Sequence, residues 1–336
     1  MKSAIVVHPR FDAVWPWAAD HAYALWQKEG DVAFHRVAPA DTRPVHQILD
    51  SPERIERLIA LDAPLTAACL DAMPNLREVA CTNASEDIAA EKLAARCIRR
   101  ITHLSEGFWG QSVSEFGLAL TLCGLRRIPQ THHEMITSLE PWKYDPSGEM
   151  GTPGGRGQQY GDDPRFTAGT VEGKRVRIVG AGNIASRYAS FVHMLGADVA
   201  TWDPFASEPC FHRAGSRREF HLNKLVEDAE IFAPMIPLTD KTRGLVTKAH
   251  IDSLPTGCLV VLITRAAICD VAALRRRVLA DELSLAADVF DIEPLPLNDP
   301  LLGRPNVVHT PHNAGRTKDA NERWAEALLV QFTPAS

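Results

Sequence analysis

Arg175-Val176-Arg177-Ile178-Val179-Gly180-Ala181-Gly182-Asn183-Ile184-Ala185 is the stretch on which the reading of the chain turns. A short apolar run ends at Val179, two glycines follow, and apolar residues then recur at helical spacing towards Leu195. The pattern predicts a strand over Arg175–Val179, a tight turn, and a helix over Ile184–Leu195. In that context Gly180 permits the turn and Gly182 lets backbone N–H groups approach a pyrophosphate at the positive end of the helix. Ala185, standing where a third glycine is usual, is small enough for close packing. Asp203 ends the next strand, Asp198–Trp202, 21 positions beyond Gly182. A carboxylate there accepts hydrogen bonds from the hydroxyls of an adenine ribose and repels a 2′-phosphate, and no Arg follows it, so NAD is expected rather than NADP. The alternative is an ordinary strand-turn-helix whose glycines serve packing only, with Asp203 in place by coincidence.

Outward from this stretch the pattern continues as βα units. Further strands are expected at Ile231–Met235, Leu259–Ile263 and Leu285–Ala287, and helices at Leu222–Asp228, Lys248–Ser253 and Val271–Leu279, which together predict a doubly wound parallel sheet. Towards the N-terminus lies a second α/β layer, with a strand at Ala4–Val7 and a helix over Trp17–Lys28. Thr66 is placed to cap a helix that Pro74 ends, and a strand follows over Arg77–Cys81. Phe116, Leu120, Cys123 and Arg127 recur at helical spacing in one long connector helix over Ser112–Met135, threatened only by Pro129. The segment 141–170 is rich in Gly, Pro, Asp and Arg and reads as a lid, an interface arm or a mobile loop. The expected fold is α/β: two Rossmann-like or flavodoxin-like domains with parallel sheets and an interdomain cleft. Residues 1–108 with 311–336 form the substrate domain, and 109–310 the cofactor domain.

The 336 residues are 45% hydrophobic and 23% charged with a formal net charge of −6, which suits a globular protein and implies no basic surface for nucleic acid. No apolar run approaches the roughly 18 residues of a membrane span, and Ala4–Val7 is too short for a secretory signal, so a cytoplasmic location is expected. The seven cysteines are scattered without a Cys-x-x-Cys pair. They are expected to be reduced and buried, with neither a disulfide framework nor a metal site. His132 and His133 are adjacent on the connector helix and face different directions, so they read as solvated residues rather than ligands. Trp109 and Trp142 are candidates for a substrate cleft, with core or interface anchoring as the alternative.

With these features in place, the chain resembles the D-isomer-specific 2-hydroxyacid dehydrogenase family over roughly Val171 to Gly315. Pro237-Leu238-Thr239 with Thr242-Arg243-Gly244-Leu245 is similar to the family's signature after the fourth strand, a stretch that lies against the cofactor. Arg265 in Ile263-Thr264-Arg265-Ala266, Glu293 in Asp288-Val289-Phe290-Asp291-Ile292-Glu293-Pro294, and His312 in Thr310-Pro311-His312 stand where the family keeps its catalytic Arg, Glu and His. The resemblance implies cofactor contacts from Gly180, Gly182, Asn183, Ile184, Asp203, Pro237, Thr242, Ile263, Thr264, Asp288 and Gly315, with Asp288 on the nicotinamide carboxamide. It implies an NAD-dependent oxidoreductase for a small D-2-hydroxy acid, dimeric through the cofactor domain. The chemistry explains the residue types. Oxidising a 2-hydroxy acid sends a proton to a base, and an imidazole serves near neutrality, so His312 is the expected acid-base group. A carboxylate on the other ring nitrogen, Glu293, fixes its tautomer and favours the imidazolium. A planar guanidinium, Arg265, makes the paired hydrogen bonds that the substrate carboxylate and C2 oxygen require.

The family's Gly-x-Gly substrate loop is replaced by Thr82-Asn83-Ala84-Ser85-Glu86. Without its glycines the loop takes another path or offers side-chain donors, and Thr82, Asn83 and Ala84 are the expected substrate contacts beside Arg265 and His312. Ala266 and Leu262 replace the usual Gly and Asn near the catalytic Arg. Glu293 argues against formate oxidation, where relatives have Gln, and the short stretch after Gly315 leaves no regulatory domain expected. Two rivals stand beside the main expectation: a dehydrogenase of another anionic substrate, such as a phosphonate or sugar acid, and an NAD-sensing, corepressor-like binding protein.

Overall fold

Residues 2–82, 90–101, 107–142 and 161–334 are described by the structure, a computed structural model. The chain folds as two units, Met1–Trp109 with Arg316–Ser336, and Gly110–Gly315.

The first unit runs β1 (Ser3–Val7), α1 (Pro9–Asp12), α2 (Ala18–Trp26), β2 (Val32–Arg36), β3 (Arg57–Leu61), α3 (Ala67–Ala72), β4 (Glu78–Cys81), α4 (Ala90–Ala95) and β5 (Arg99–Ile101). All five strands are parallel in the order β2-β1-β3-β4-β5. β1 and β3 are buried on both faces, and their side chains alternate between two cores as the two-residue period demands. Ala4, Val6, Leu58 and Ala60 meet α3 on one face, whereas Ile5, Val7, Ile59 and Leu61 meet α2 on the other. Thr66 caps α3 as expected. Arg57 is buried at the head of β3 because its charge is answered by Glu29 at 2.9 Å, its Nε by the Ser3 hydroxyl, and its flat face by the Trp26 ring.

The second unit holds α5 (Phe108–Arg126), α6 (Ile128–Thr137), β6 (Arg175–Val179), α7 (Asn183–Met194), β7 (Asp198–Trp202), α8 (Glu208–Arg213), β8 (Arg217–Arg218), α9 (Leu222–Glu227), β9 (Ile231–Pro234), α10 (Lys248–Ser253), β10 (Leu259–Leu262), α11 (Val271–Leu279), β11 (Ser284–Ala287) and β12 (Val307–His309). Its seven parallel strands take the order β12-β11-β10-β9-β6-β7-β8, which reverses direction between β6 and β9, the switch point of a doubly wound sheet. Val179, Phe232, Val260, Leu262 and Leu285 pack with α9, α10 and α11 in the main core. The chain then returns to the first unit as α12 (Lys318–Leu329), whose Trp324, Ala325 and Leu328 complete the core against α2.

Two sequence expectations are corrected here. The connector is not one helix over Ser112–Met135, because Arg127 takes a left-handed backbone (φ 50°) between α5 and α6. Pro129 lacks the N–H that would continue the ladder to Leu125, and the freed Leu125 carbonyl accepts instead from Gly169 N–H at 3.3 Å. The seven cysteines are all free, but only Cys69, Cys258 and Cys269 are buried, while Cys97 is exposed. His132 and His133 are exposed. Among the described residues no helix is long and apolar enough to cross a membrane.

Candidate active site

The glycine-rich turn joins β6 to α7 at the switch point. Gly180 has φ +108°, donates to Trp202 O at 2.8 Å, and lies so close to Met235 and Ile236 that a Cβ would stand 2.8 Å from the Met235 carbonyl oxygen. Only glycine satisfies both the angle and the space. Gly182 is the N-cap of α7, makes no side-chain cap, and has nothing within 4 Å of where a Cβ would stand. The first-turn amides of a twelve-residue helix therefore face open space across a bare backbone, an arrangement that suits a pyrophosphate. Asn183 is held sideways: its side-chain oxygen accepts from Arg187 Nε at 2.9 Å, and Gly110 packs against it so closely that a Cβ there would come within 2.6 Å. Its contribution at the turn is its backbone N–H. Asp203 follows β7 and ties the turn together, with Oδ2 accepting from Ala181 N–H at 2.8 Å and Oδ1 from Phe205 and Ala206 N–H. Three donors fix that carboxylate while leaving lone-pair capacity for a ribose hydroxyl. These residues fit NAD.

Beyond β9 and β10, further expected contact residues define the loop walls. Thr242 closes its own loop, its hydroxyl donating to Pro237 O at 2.6 Å and accepting from Thr239 N–H. Thr264, buried, donates to Pro234 O at 3.2 Å and so joins the ends of β9 and β10, next to buried Ile263.

Arg265, Glu293 and His312 all lie in this second unit. His312 Nδ1 is 2.6 Å from Glu293 Oε2, and Glu293 Oε1 accepts from Phe290 N–H at 2.8 Å. Partial burial pushes the Glu293 carboxyl up, but the hydrogen bonds from His312 and Phe290 and the charges of His312 and Arg265 outweigh it and hold it below the usual carboxylate range. Arg265 is exposed, with Nη1 on its neighbour's carbonyl, Thr264 O, at 2.6 Å. His312 itself has a left-handed backbone, φ 54°. That conformation costs an L-residue about 1–2 kcal/mol and persists because Asp288 over-determines the turn. Fully buried after β11, Asp288 accepts from the N–H groups of Asn313 and Ala314 at 3.0 and 2.9 Å and from the Thr310 hydroxyl at 2.6 Å. Asp288 thus fixes the loop on which His312 stands, a task the sequence did not suggest, and it leaves one lone-pair direction for the expected carboxamide contact. Thr310, quoted in the motif but given no role, and the Phe290 amide are the partners that sequence reasoning missed. Gly315 closes the unit, half-buried.

In the first unit Thr82 follows β4, and its hydroxyl is committed to Asp62, donating to Oδ1 at 3.0 Å and accepting from Asp62 N–H at 2.8 Å. Asn83 and Ala84 lie outside the described residues, as do 143–160 of the expected loop. Trp109 stacks on Trp15 with ring centroids 4.1 Å apart, an anchoring position, and Trp142 is exposed. Leu262 and Ala266, which stand where relatives carry Asn and Gly, are both buried. Among the described residues no three His, Cys, Asp or Glu side chains gather as metal ligands.

Residues 151–314 match the family model described as the NAD binding domain of D-isomer specific 2-hydroxyacid dehydrogenases. A glyoxylate reductase of Thermofilum pendens is 29% identical over 304 residues, covering 84% of this chain and 81% of that protein. A D-3-phosphoglycerate dehydrogenase of Archaeoglobus fulgidus is 29% identical over 210 residues, 62% of this chain but 36% of that protein, so the match spans about a third of its length. A phosphoglycerate oxidoreductase from Rhizobium etli superposes with a TM-score of 0.71 at 22% identity over 98% of this chain and 93% of that one, which shows a shared fold. The second sheet, its glycine-rich turn and the family model agree: residues 151–314 belong to the D-isomer specific 2-hydroxyacid dehydrogenase family as its NAD binding domain.

Proposed function

We propose that the protein is an NAD-dependent oxidoreductase that interconverts a small 2-keto acid and the D-2-hydroxy acid. The observation that carries this reading is the 2.6 Å His312–Glu293 pair, held in the same unit as the NAD-binding turn. NAD, when bound, supplies or accepts the hydride at C2. His312 gives its Nε2 proton to the C2 oxygen in reduction and takes it back in oxidation, since Nδ1 is turned onto the carboxylate. Glu293 keeps the ring in that orientation. Arg265 binds the substrate carboxylate and the C2 oxygen through its planar fork. Asp288 holds the His312 loop still and presents its remaining lone pair to the carboxamide. The names of the relatives, a glyoxylate reductase and phosphoglycerate dehydrogenases, support a small anionic substrate.

The test is NADH consumption by the purified protein with glyoxylate, hydroxypyruvate, pyruvate and longer 2-keto acids, repeated with NADPH. Turnover with NADH that is lost in His312→Ala supports the assignment; turnover retained in that variant overturns it. We further propose a cytoplasmic homodimer: Ile128, Met135 and Ile136 leave apolar surface exposed on α6, and light scattering in solution checks the mass.

A further inference from the structure

Three buried polar side-chain atoms of the second unit make no hydrogen bond to the protein: Arg127 Nε, Gln130 Oε1 and Ser284 Oγ. Among the described residues they are the only such atoms, and they come from separate places, the break between α5 and α6, the first turn of α6, and the start of β11. Yet all three residues line one cavity of about 10 Å³. A native fold rarely leaves a buried donor or acceptor unanswered, because each one costs its full desolvation. Three of them at one cavity call for a common partner.

The bonding around the cavity fixes what each atom needs. Gln130 Nε2 donates to the carbonyls of Pro305 and Val307, both at 3.1 Å, so the amide cannot be turned round without setting oxygen against oxygen. Its Oε1 is left as an acceptor. Arg127 spends Nη1 on Gly161 O and Nη2 on Glu134 Oε1, each at 3.4 Å, and its Nε is left as a donor. The Ser284 hydroxyl rotates and does either. Their partner must therefore accept and donate at once. A metal cation is refused by the guanidinium, a halide by the amide oxygen, and an organic molecule by the volume. One water needs about 10–15 Å³ and about two to four polar partners, and the site meets both conditions.

We infer that this cavity is a binding site for a single structural water, which accepts from Arg127 Nε, donates to Gln130 Oε1 and makes its remaining hydrogen bond with Ser284 Oγ. The water ties the helix break and α6 to β11, a strand to which neither Arg127 nor Gln130 is itself hydrogen-bonded. The site is independent of the keto-acid reading, since it lies at the start of β11, whereas Asp288 and the His312 loop follow the ends of β11 and β12.

A high-resolution crystal structure of the full chain is the direct test. The expected result is a density peak that refines as water within about 2.7–3.2 Å of all three atoms. A dry cavity, a chloride ion in it, or side chains rearranged to pair with the protein instead overturns the inference. In solution, oxygen-17 relaxation dispersion counts long-lived internal waters. Ser284→Val puts methyl groups in place of the hydroxyl and into the cavity, and is expected to hold one such water fewer than wild type. Ser284→Ala leaves the room and two of the three partners, so the water should stay with a shorter residence time. An unchanged count in Ser284→Val, with a melting curve that shows it folded, overturns the inference; if that variant does not fold, the wild-type crystal structure decides.

Discussion

Nδ1 of His312 stands 2.6 Å from Oε2 of Glu293, and the other oxygen of that carboxylate is pinned by the Phe290 amide. The pairing makes Glu293 a positioning residue with a measurable signature. Glu293→Gln is expected to lower kcat about a hundredfold, while KM for NADH stays within a few-fold. Because the Glu293 carboxyl is held below its ordinary value, its contribution to stability is complete above the unfolded carboxyl value of about 4.3 and is lost as pH falls through the lower folded value. Melting curves of wild type and Glu293→Gln should therefore differ by a constant amount near neutrality and converge in acid. A gap that widens in acid contradicts the geometry.

Gly180 and Gly182 are two positions apart and predict opposite outcomes when changed to Ala. At Gly180 the new Cβ meets the Met235 carbonyl with φ at +108°, so the variant should lose about 2 kcal/mol or more in urea unfolding. At Gly182 nothing stands within 4 Å, so stability should hardly move, while the added methyl blocks approach to the helix amides and NADH affinity falls at least about tenfold by fluorescence titration. Equal effects at the two positions would contradict this division.

Asp203 holds the turn, and the ribose contact proposed for it is separately testable. Asp203→Ser should raise KM for NADH about tenfold or more and narrow the preference over NADPH, since the repelling charge is gone. Loss of three accepted N–H bonds should also lower the melting temperature. Cofactor preference unchanged in this variant would remove Asp203 from the ribose site.

Arg177, 2% exposed in its side chain, is held by Asp228 at 2.6 Å and Asp198 at 2.9 Å. The Arg177 hydrogen bonds hold the Asp228 carboxyl below its usual range against the opposing effect of burial. Asp228→Ala leaves a buried guanidinium with half its counter-charge and should cost about 2–3 kcal/mol in denaturant unfolding. The wild-type contribution is present above the unfolded carboxyl value of about 3.9 and disappears as pH falls through the lower folded one. A loss of the same size at pH 3 as at pH 7 would assign the effect to packing instead.

How much of this was legible depends on whether the signal was local. The turn at Gly180 and Gly182 and the expected strands of the second unit follow from apolar runs and glycine placement, and the strands formed there to within a residue or two. Arg265, Glu293 and His312 were legible from the order of their motifs, since no spacing rule brings residues 265, 293 and 312 together. β2, β3 and β5 were not singled out, because their ends carry Arg36, Arg57 and Arg99, charges satisfied only by partners distant in sequence such as Glu29 and Glu78. The break at Arg127 shows the same limit. Pro129 announced a disturbance, but its form depends on Gly169 arriving to take the Leu125 carbonyl. Asp288 was named for a contact with cofactor, whereas its three accepted bonds go to the loop of His312, two of them from backbone N–H groups that a side-chain reading does not reveal.

The split composition of the first unit also governs the order of events at the ribosome. Trp324, Ala325 and Leu328 close the face formed by Ile5, Val7, Ile59 and Leu61, yet 206 residues of the second unit, Gly110–Gly315, are synthesised in between. At roughly 5–20 residues per second that is an interval of about 10–40 s. During it the nascent first sheet has α2 but not α12 on that side, so part of its apolar face stays uncovered while the second unit completes itself. Nascent chains halted before α12 should therefore recruit hydrophobic-surface chaperones through their oldest segment, and release from them should coincide with emergence of the last helix.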